Sequence, residues 1–301
     1  EYIPPDAERL SWATNFSGSA GRAIINQNIS SLFVDGRYTF QAKEQIDIDM
    51  ISLLHWNDFS EELKKNFKKN KCVALDPMLH SIEEVNKIIE LADENETKLY
   101  FTSPNLIDEL WIDKPERKYS VIFNHPINYA GIDASNKVDQ FVKELKSNNL
   151  DSYFLSSLDS IAWLLNIRAD DILHTPLAFS YLFISVENKP ILYLSIEKLN
   201  TDLKNRLSNF LNLQPIEKID NIFKNLTKKL KVGFDYKNTS YFFYNLALGN
   251  DLVPSNLQNP CLIPKATKNE TELEGSRKAH LRDGVSITKF LYWLKNHQSV
   301  E

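Results

Sequence analysis

Apolar residues recur along the chain in two alternating rhythms. Short apolar, β-branched or aromatic runs predict buried strands at 22–25, 32–34, 49–53, 72–76 and 99–101, then at 152–155, 181–186, 191–194 and 232–235. Between them, apolar positions three and four apart predict helices over 8–13, 58–69, 82–92, 105–111, 139–148, 158–165, 203–211, 222–230 and 241–248, with one more opening at Tyr38. Leu10 and Trp12 are expected to face inward from the first helix. Gln27-Asn28 is placed to turn the 22–25 strand back onto the 32–34 strand as a hairpin. Strands alternating with helices predict an α/β fold on mostly central sheets. The charged, proline-interrupted stretch at 113–117 reads as an interdomain linker.

The two halves echo one another. Leu10, Trp12, Asn15 and Phe16 have the spacing of Ile161, Trp163, Asn166 and Ile167, and Val73 to Asp76 parallels Val232 to Asp235. Two related α/β domains in tandem are the simplest account, with chance as the alternative. After Pro260 the character changes to a long helical pattern over 268–293. Its acidic first turn suits the positive end of the helix dipole, and Leu273, Leu281, Val285, Phe290, Leu291 and Leu294 form its apolar stripe. Nothing after it supplies a surface for that stripe, so the helix is expected to belong to a third domain. The opening Glu1-Tyr2-Ile3-Pro4-Pro5 lacks both an initiator Met and a signal-like segment and reads as the middle of a longer polypeptide, with a removed signal left open.

Composition narrows the function classes. With 301 residues and 43% hydrophobic content there is enough apolar material for more than one core. A net charge of −5 with no long basic block argues against a nucleic-acid partner. No apolar run approaches the roughly 20 residues that span a membrane. Cys72 and Cys261 lie far apart in no metal or redox spacing, which fits a reducing compartment.

Candidate chemistry concentrates in SLFVDGRYTFQAKEQ, 31–45. An apolar strand ends at the turn pair Asp35-Gly36, and Arg37 stands at the corner before a helix. Strand ends present binding groups on a fixed backbone, so Arg37 is a candidate contact. The plainer reading is that Asp35 and Arg37 pair and brace the turn. Elsewhere the signals are weaker. The turn 17–21 is rich in glycine and serine but precedes a strand and lacks a Lys-Ser/Thr, so it is not a phosphate loop. Ser17 and Ser19 lack the context of a nucleophile elbow. The six histidines form no metal-binding pair, and His280 and His297 are expected to face solvent or a neighbour. Glu61-Glu62 and Glu83-Glu84 read as solvated helix faces, and Asp170-Asp171 as ion-pair partners of Arg168. No complete active site is legible.

Four stretches carry a resemblance: EYIPPDAERLSWATNFSGSAGRAII, LFVDGRYTFQAKEQ, LDSIAWLLNIRADDI with TPLAFSYLFI, and KATKNETELEGSRKAHLRDGVSITKFLYWL. In that order they resemble the three-domain, cytosolic Xaa-Pro aminopeptidase (aminopeptidase P) family. The resemblance implies an α/β fold of two tandem creatinase-N-type domains, 1–117 (incomplete at its N-terminus) and 118–262, with mixed central sheets flanked by helices. The first helix of a truncated pita-bread metallopeptidase domain, 263–301, would follow. It further implies a cytoplasmic, homodimeric parent hydrolase that releases the N-terminal residue of peptides with proline in second position. That chemistry uses two divalent metal ions, usually manganese, bridging a hydroxide. Their Asp, His and Glu ligands belong to the third domain beyond Glu301, so this chain is expected to bind no metal and to be inactive alone. Its partners would be Xaa-Pro peptides, with no nucleic acid and no membrane. Arg37 would hold the peptide across the cleft, supported by Asp35 and Tyr38, because a guanidinium offers forked donors to a carbonyl or carboxylate. Asn15 and Ala169 stand where the family usually has glycine, and His174-Thr175 departs from its usual pair before the proline. A non-catalytic creatinase-N-type interaction module is the alternative, and a relative acting on an amidine such as creatine fits less well.

Overall fold

A computed structural model describes residues 2–224 and 226–297. In the first half, α1 (Arg9–Thr14) leads into the antiparallel pair β1 (Gly21–Ile24) and β2 (Ser30–Val34). The chain turns through a 3-10 segment, Gly36–Tyr38, into α2 (Thr39–Gln45), and β3 (Ile51–His55) returns parallel to β2. A second 3-10 segment, Trp56–Asp58, precedes α3 (Phe59–Asn66), β4 (Cys72–Leu75), α4 (Ile82–Glu94), β5 (Lys98–Phe101) and α5 (Leu106–Leu110). The described strands of this half form two separate pieces, β1-β2-β3 and the parallel pair β4-β5.

The second half opens with β6 (Phe123–Asn124), α6 (Ile127–Ala130), α7 (Ala134–Ser147), β7 (Ser152–Leu155), α8 (Leu158–Leu165) and β8 (Ile167–Arg168). It continues with β9 (Ser180–Ser185), β10 (Ile191–Leu194), α9 (Thr201–Ser208), β11 (Asn212–Pro215), β12 (Lys231–Phe234), α10 (Tyr241–Gly249) and β13 (Val253–Asn256). Then come α11 (Leu262–Ala266) and α12 (Glu270–Asn296). Six strands form one mixed sheet in the order β11-β10-β9-β7-β12-β13, with β9 antiparallel to both neighbours and the other pairings parallel.

All four residues of β7 are buried because both faces of this sheet are covered. Tyr153 and Leu155 enter a core with α7, α8 and α9, while Phe154 enters another with Phe223, Phe234 and Phe243. That second core also takes Leu75, Ile82, Val85 and Ile88 from the first half. Each such side chain contributes about 1.5–3 kcal/mol when fully buried. Backbone bonds reinforce the join, with Ile82 N–H donating to Thr239 (3.0 Å), Glu83 N–H to Tyr236 (2.9 Å) and Tyr241 N–H to His80 (2.9 Å).

Several expectations are corrected. Residues 222–230 do not form a helix among those described; a 3-10 segment, Ile216–Asn221, gives way to turns, and residue 225 lies outside the described set. Ile222 and Phe223 are buried in the aromatic core from these turns instead. Trp12 does not face inward: it is 41% exposed and stacks on Trp111 at 6.1 Å. Arg168 donates to the carbonyls of Ala162 and Ile167 at 2.8 Å, while Asp171 accepts from the Ser120 backbone N–H (2.6 Å) and hydroxyl (2.8 Å) and from Phe179 N–H (2.8 Å). Glu84 is a half-buried partner of Arg22 and His80 instead of a solvated carboxylate. The linker stretch forms no helix or strand but is anchored, since Arg117 pairs with Asp6 at 2.7 Å and lies over the Phe179 ring at 4.5 Å.

Candidate peptide-contact site

The site is built from β2. Leu32, Phe33 and Val34 are buried between β1 and β3, which fixes the point where the chain leaves the sheet. Asp35 is extended (φ −79°, ψ 170°) and caps the next turn, its Oδ1 accepting the Arg37 backbone N–H at 2.9 Å. The same carboxylate accepts Arg37 Nε at 3.1 Å and Nη2 at 2.7 Å on Oδ2. The Arg37 guanidinium lies over the Tyr38 ring at 5.3 Å, so it is held by a carboxylate and by an aromatic ring. Its side chain remains 66% exposed. The hydrogen bond from Arg37 holds the Asp35 carboxyl below its ordinary value and keeps it ionised.

Tyr38 is fixed in turn. Its hydroxyl shares a 2.6 Å hydrogen bond with Ser19 Oγ, and Phe16 meets its ring edge-on at 5.8 Å. A Cβ at Gly18 would collide with the rings of Phe16 and Tyr38, so the small-residue turn is part of the Arg37 mounting. The sequence showed that turn but not its connection to Tyr38. Hairpin register, with Gly21 opposite Val34, brings the two together. Phe40, three residues beyond Arg37 on α2, is 82% exposed; its hydrophobicity was the only signal in the sequence. Asn15 sits in left-handed conformation (φ 62°), which suits glycine and which asparagine tolerates better than most residues.

A second polar cluster lies at the C-terminus of α8. Buried Lys137 donates to the Trp163 carbonyl (2.7 Å) and to Asn166 Oδ1 (2.9 Å), and burial pushes its amine down to about 8. These bonds satisfy the end of a helix, and Arg206 adds a 3.0 Å bond to the Leu165 carbonyl. Among the described residues, no group of three or more His, Cys, Asp or Glu converges to hold a metal ion. The described side chains therefore do not fit a dinuclear centre.

Two tandem α/β units define the class of fold. Residues 2–110 and 113–272 each match the Creatinase/Prolidase N-terminal domain model, and the chain belongs to that family. It is similar to probable Xaa-Pro aminopeptidases P from Penicillium rubens (34% identical over 310 residues) and Paracoccidioides brasiliensis (32% over 315 residues). In both cases 98% of this chain and 50% of the relative are covered, so the chain spans about half the length of the curated relatives it matches. An X-prolyl aminopeptidase from Caenorhabditis elegans, described as a cytosolic enzyme with a di-nuclear active site, superimposes with a TM-score of 0.90 at 26% identity. That match covers 98% of this chain and 49% of the other. No helix among the described residues is long and apolar enough to cross a membrane.

Proposed function

We propose that this chain is the N-terminal, peptide-positioning part of a metal-dependent aminopeptidase that releases the first residue of peptides with proline in second position. The similarity of 98% of the chain to Xaa-Pro aminopeptidases P carries the reading. The Asp35-braced Arg37 gives it a physical basis. Proline's tertiary amide has no N–H to recognise, so the peptide is located through its carbonyls and carboxylate, which suit a forked cation. In this reading Arg37 binds the peptide, and Asp35 and Tyr38 keep the guanidinium from wandering.

The organisation proposed with it is a first domain over 1–117, a second over 118–262 and the start of a catalytic domain over 263–301. The metal pair, manganese in this reading, belongs to the catalytic domain of a cytoplasmic, homodimeric parent, and this chain by itself does not turn over substrate. An Xaa-Pro-Xaa peptide assayed with Mn²⁺ tests this: the parent is expected to cleave before proline and the 301-residue chain not to. Turnover by the chain alone would place chemistry here, and a parent inert towards such peptides would remove the activity.

A further inference from the structure

Arg37 belongs to the first half, whereas α12 is anchored on the second, where its cap residue Asn269 donates to the Ala130 carbonyl at 2.9 Å. The core shared by the two halves takes Leu75, Ile82, Val85 and Ile88 from β4 and α4, and no residue of α1, β2 or α2. A different set of contacts ties the Arg37 mounting to the second half, and it runs through the turn before α1.

The buried Asp6 carboxylate is the centre of that tie. Its Oδ2 accepts Arg117 Nε at 2.8 Å and Nη2 at 2.7 Å, and the same guanidinium lies over the Phe179 ring at 4.5 Å. The platform under Arg117 is itself fixed. Asp171 accepts the backbone N–H and hydroxyl of Ser120, three residues along from Arg117, and also the Phe179 N–H. Tyr2 adds an edge-on ring contact with His174 at 5.2 Å. Taking away Arg117 would leave the Asp6 carboxylate enclosed without its cation, a costly arrangement that the segment relieves by moving.

On its other side Asp6 leads through the 3-10 turn Pro5–Ala7 directly into α1. Arg9 holds both oxygens of Asp108 at 2.8 and 2.7 Å, and Lys114 joins that carboxylate at 2.9 Å. Leu10 packs into the small core of Phe16, Leu32 and Val34, which also carries Tyr38. Just past α1, Asn15 Nδ2 donates to the Gln45 carbonyl at 2.7 Å and the Ser17 N–H to Gln45 Oε1 at 3.0 Å. The end of α1 thus grips α2 and, through Phe16, the Tyr38 ring beneath the Arg37 guanidinium. Close packing passes a shift of α1 on to that mounting.

We infer that Asp6 and Arg117 are positioning residues for Arg37: their ion pair locks α1 against the second half and fixes where the guanidinium stands relative to the domain that α12 opens. This role rests on the peptide-binding reading of Arg37 proposed above. Neither residue touches the peptide; both act through α1 and Tyr38. A misplacement of about 1 Å far from the chemistry is enough to cost up to about 100-fold in rate.

The test is a double-mutant cycle in the parent enzyme with an Xaa-Pro-Xaa peptide. With Arg37 present, Arg117→Met and Asp6→Asn are each expected to raise KM about 5- to 10-fold and leave kcat nearly unchanged. In an Arg37→Ala background the same substitutions should change KM less than about 2-fold, because the group they position is gone. Asp6→Asn keeps the side-chain shape and serves where Arg117→Met does not fold. An unchanged KM, or equal fold-changes in both backgrounds, would overturn the positioning role while leaving Arg37 as a peptide contact. An Arg37→Ala parent as active as the wild type would remove the contact itself, and the positioning role with it.

Discussion

Asp35 holds Arg37 at both ends, accepting its backbone N–H at 2.9 Å and its terminal Nη2 at 2.7 Å. The carboxylate that shapes the turn thus also aims the guanidinium. Arg37→Ala in the parent enzyme is expected to lower kcat/KM for an Xaa-Pro-Xaa peptide about 10- to 100-fold, the worth of one charge-assisted contact. Because the side chain is largely exposed, the melting temperature should hardly move. Unchanged kcat/KM would rule out the contact.

Asp35→Ala acts differently. It removes the cap of the 36–38 turn and loosens the guanidinium without deleting it. Denaturant unfolding should register the first effect. A rise in KM smaller than that of Arg37→Ala should register the second.

Acid opens the clamp late. A carboxyl whose folded pKa is depressed contributes stability above its unfolded value and loses that contribution as pH falls through the folded one. The Asp35–Arg37 pair should therefore persist from neutral pH down through the ordinary value of 3.8 and break only below it. The Arg37 Nε–H resonance followed through an acid titration reads this directly; loss of the pair at mildly acidic pH would contradict it.

How much of this was legible beforehand varied with the physics. The apolar run of β2 and the Asp-Gly turn are local signals, and they located Arg37 correctly at a strand end. The Ser19–Tyr38 bond depends on hairpin register, which no local window contains. β11 and β13 were missed because each is an edge strand containing proline, Pro215 and Pro254, with little apolar run to read. Residues 222–230 misled because Ile222, Phe223 and Leu226 are spaced as a helix would space them, yet turns hold Ile222 and Phe223 in the aromatic core.

Lys137 gives a prediction in the alkaline range. Between about 8 and its unfolded value of 10.5 the folded amine has released a proton that the unfolded chain still holds, so stability should rise with pH across that window. Urea unfolding of the wild type at several alkaline pH values should show the rise, and Lys137→Met should flatten it. An equal slope in both would assign the effect to other groups.

The start of α12 can be tested at Gly131. This residue is left-handed (φ 73°), and a Cβ there would strike the Asn269 side chain, which caps α12 and donates to the Ala130 carbonyl at 2.9 Å. Gly131→Ala should cost about 1–3 kcal/mol, measured by denaturant unfolding. A neutral substitution would mean that α12 is not anchored there.

The core that Ile82, Val85 and Ile88 share with Phe154 and Phe234 has a consequence for how the protein comes apart. The two repeats are successive in the gene, and although each keeps a hydrophobic cluster of its own, the core around Phe154 is built from both. A protease cut at 113–117 should leave two fragments that stay associated and melt together.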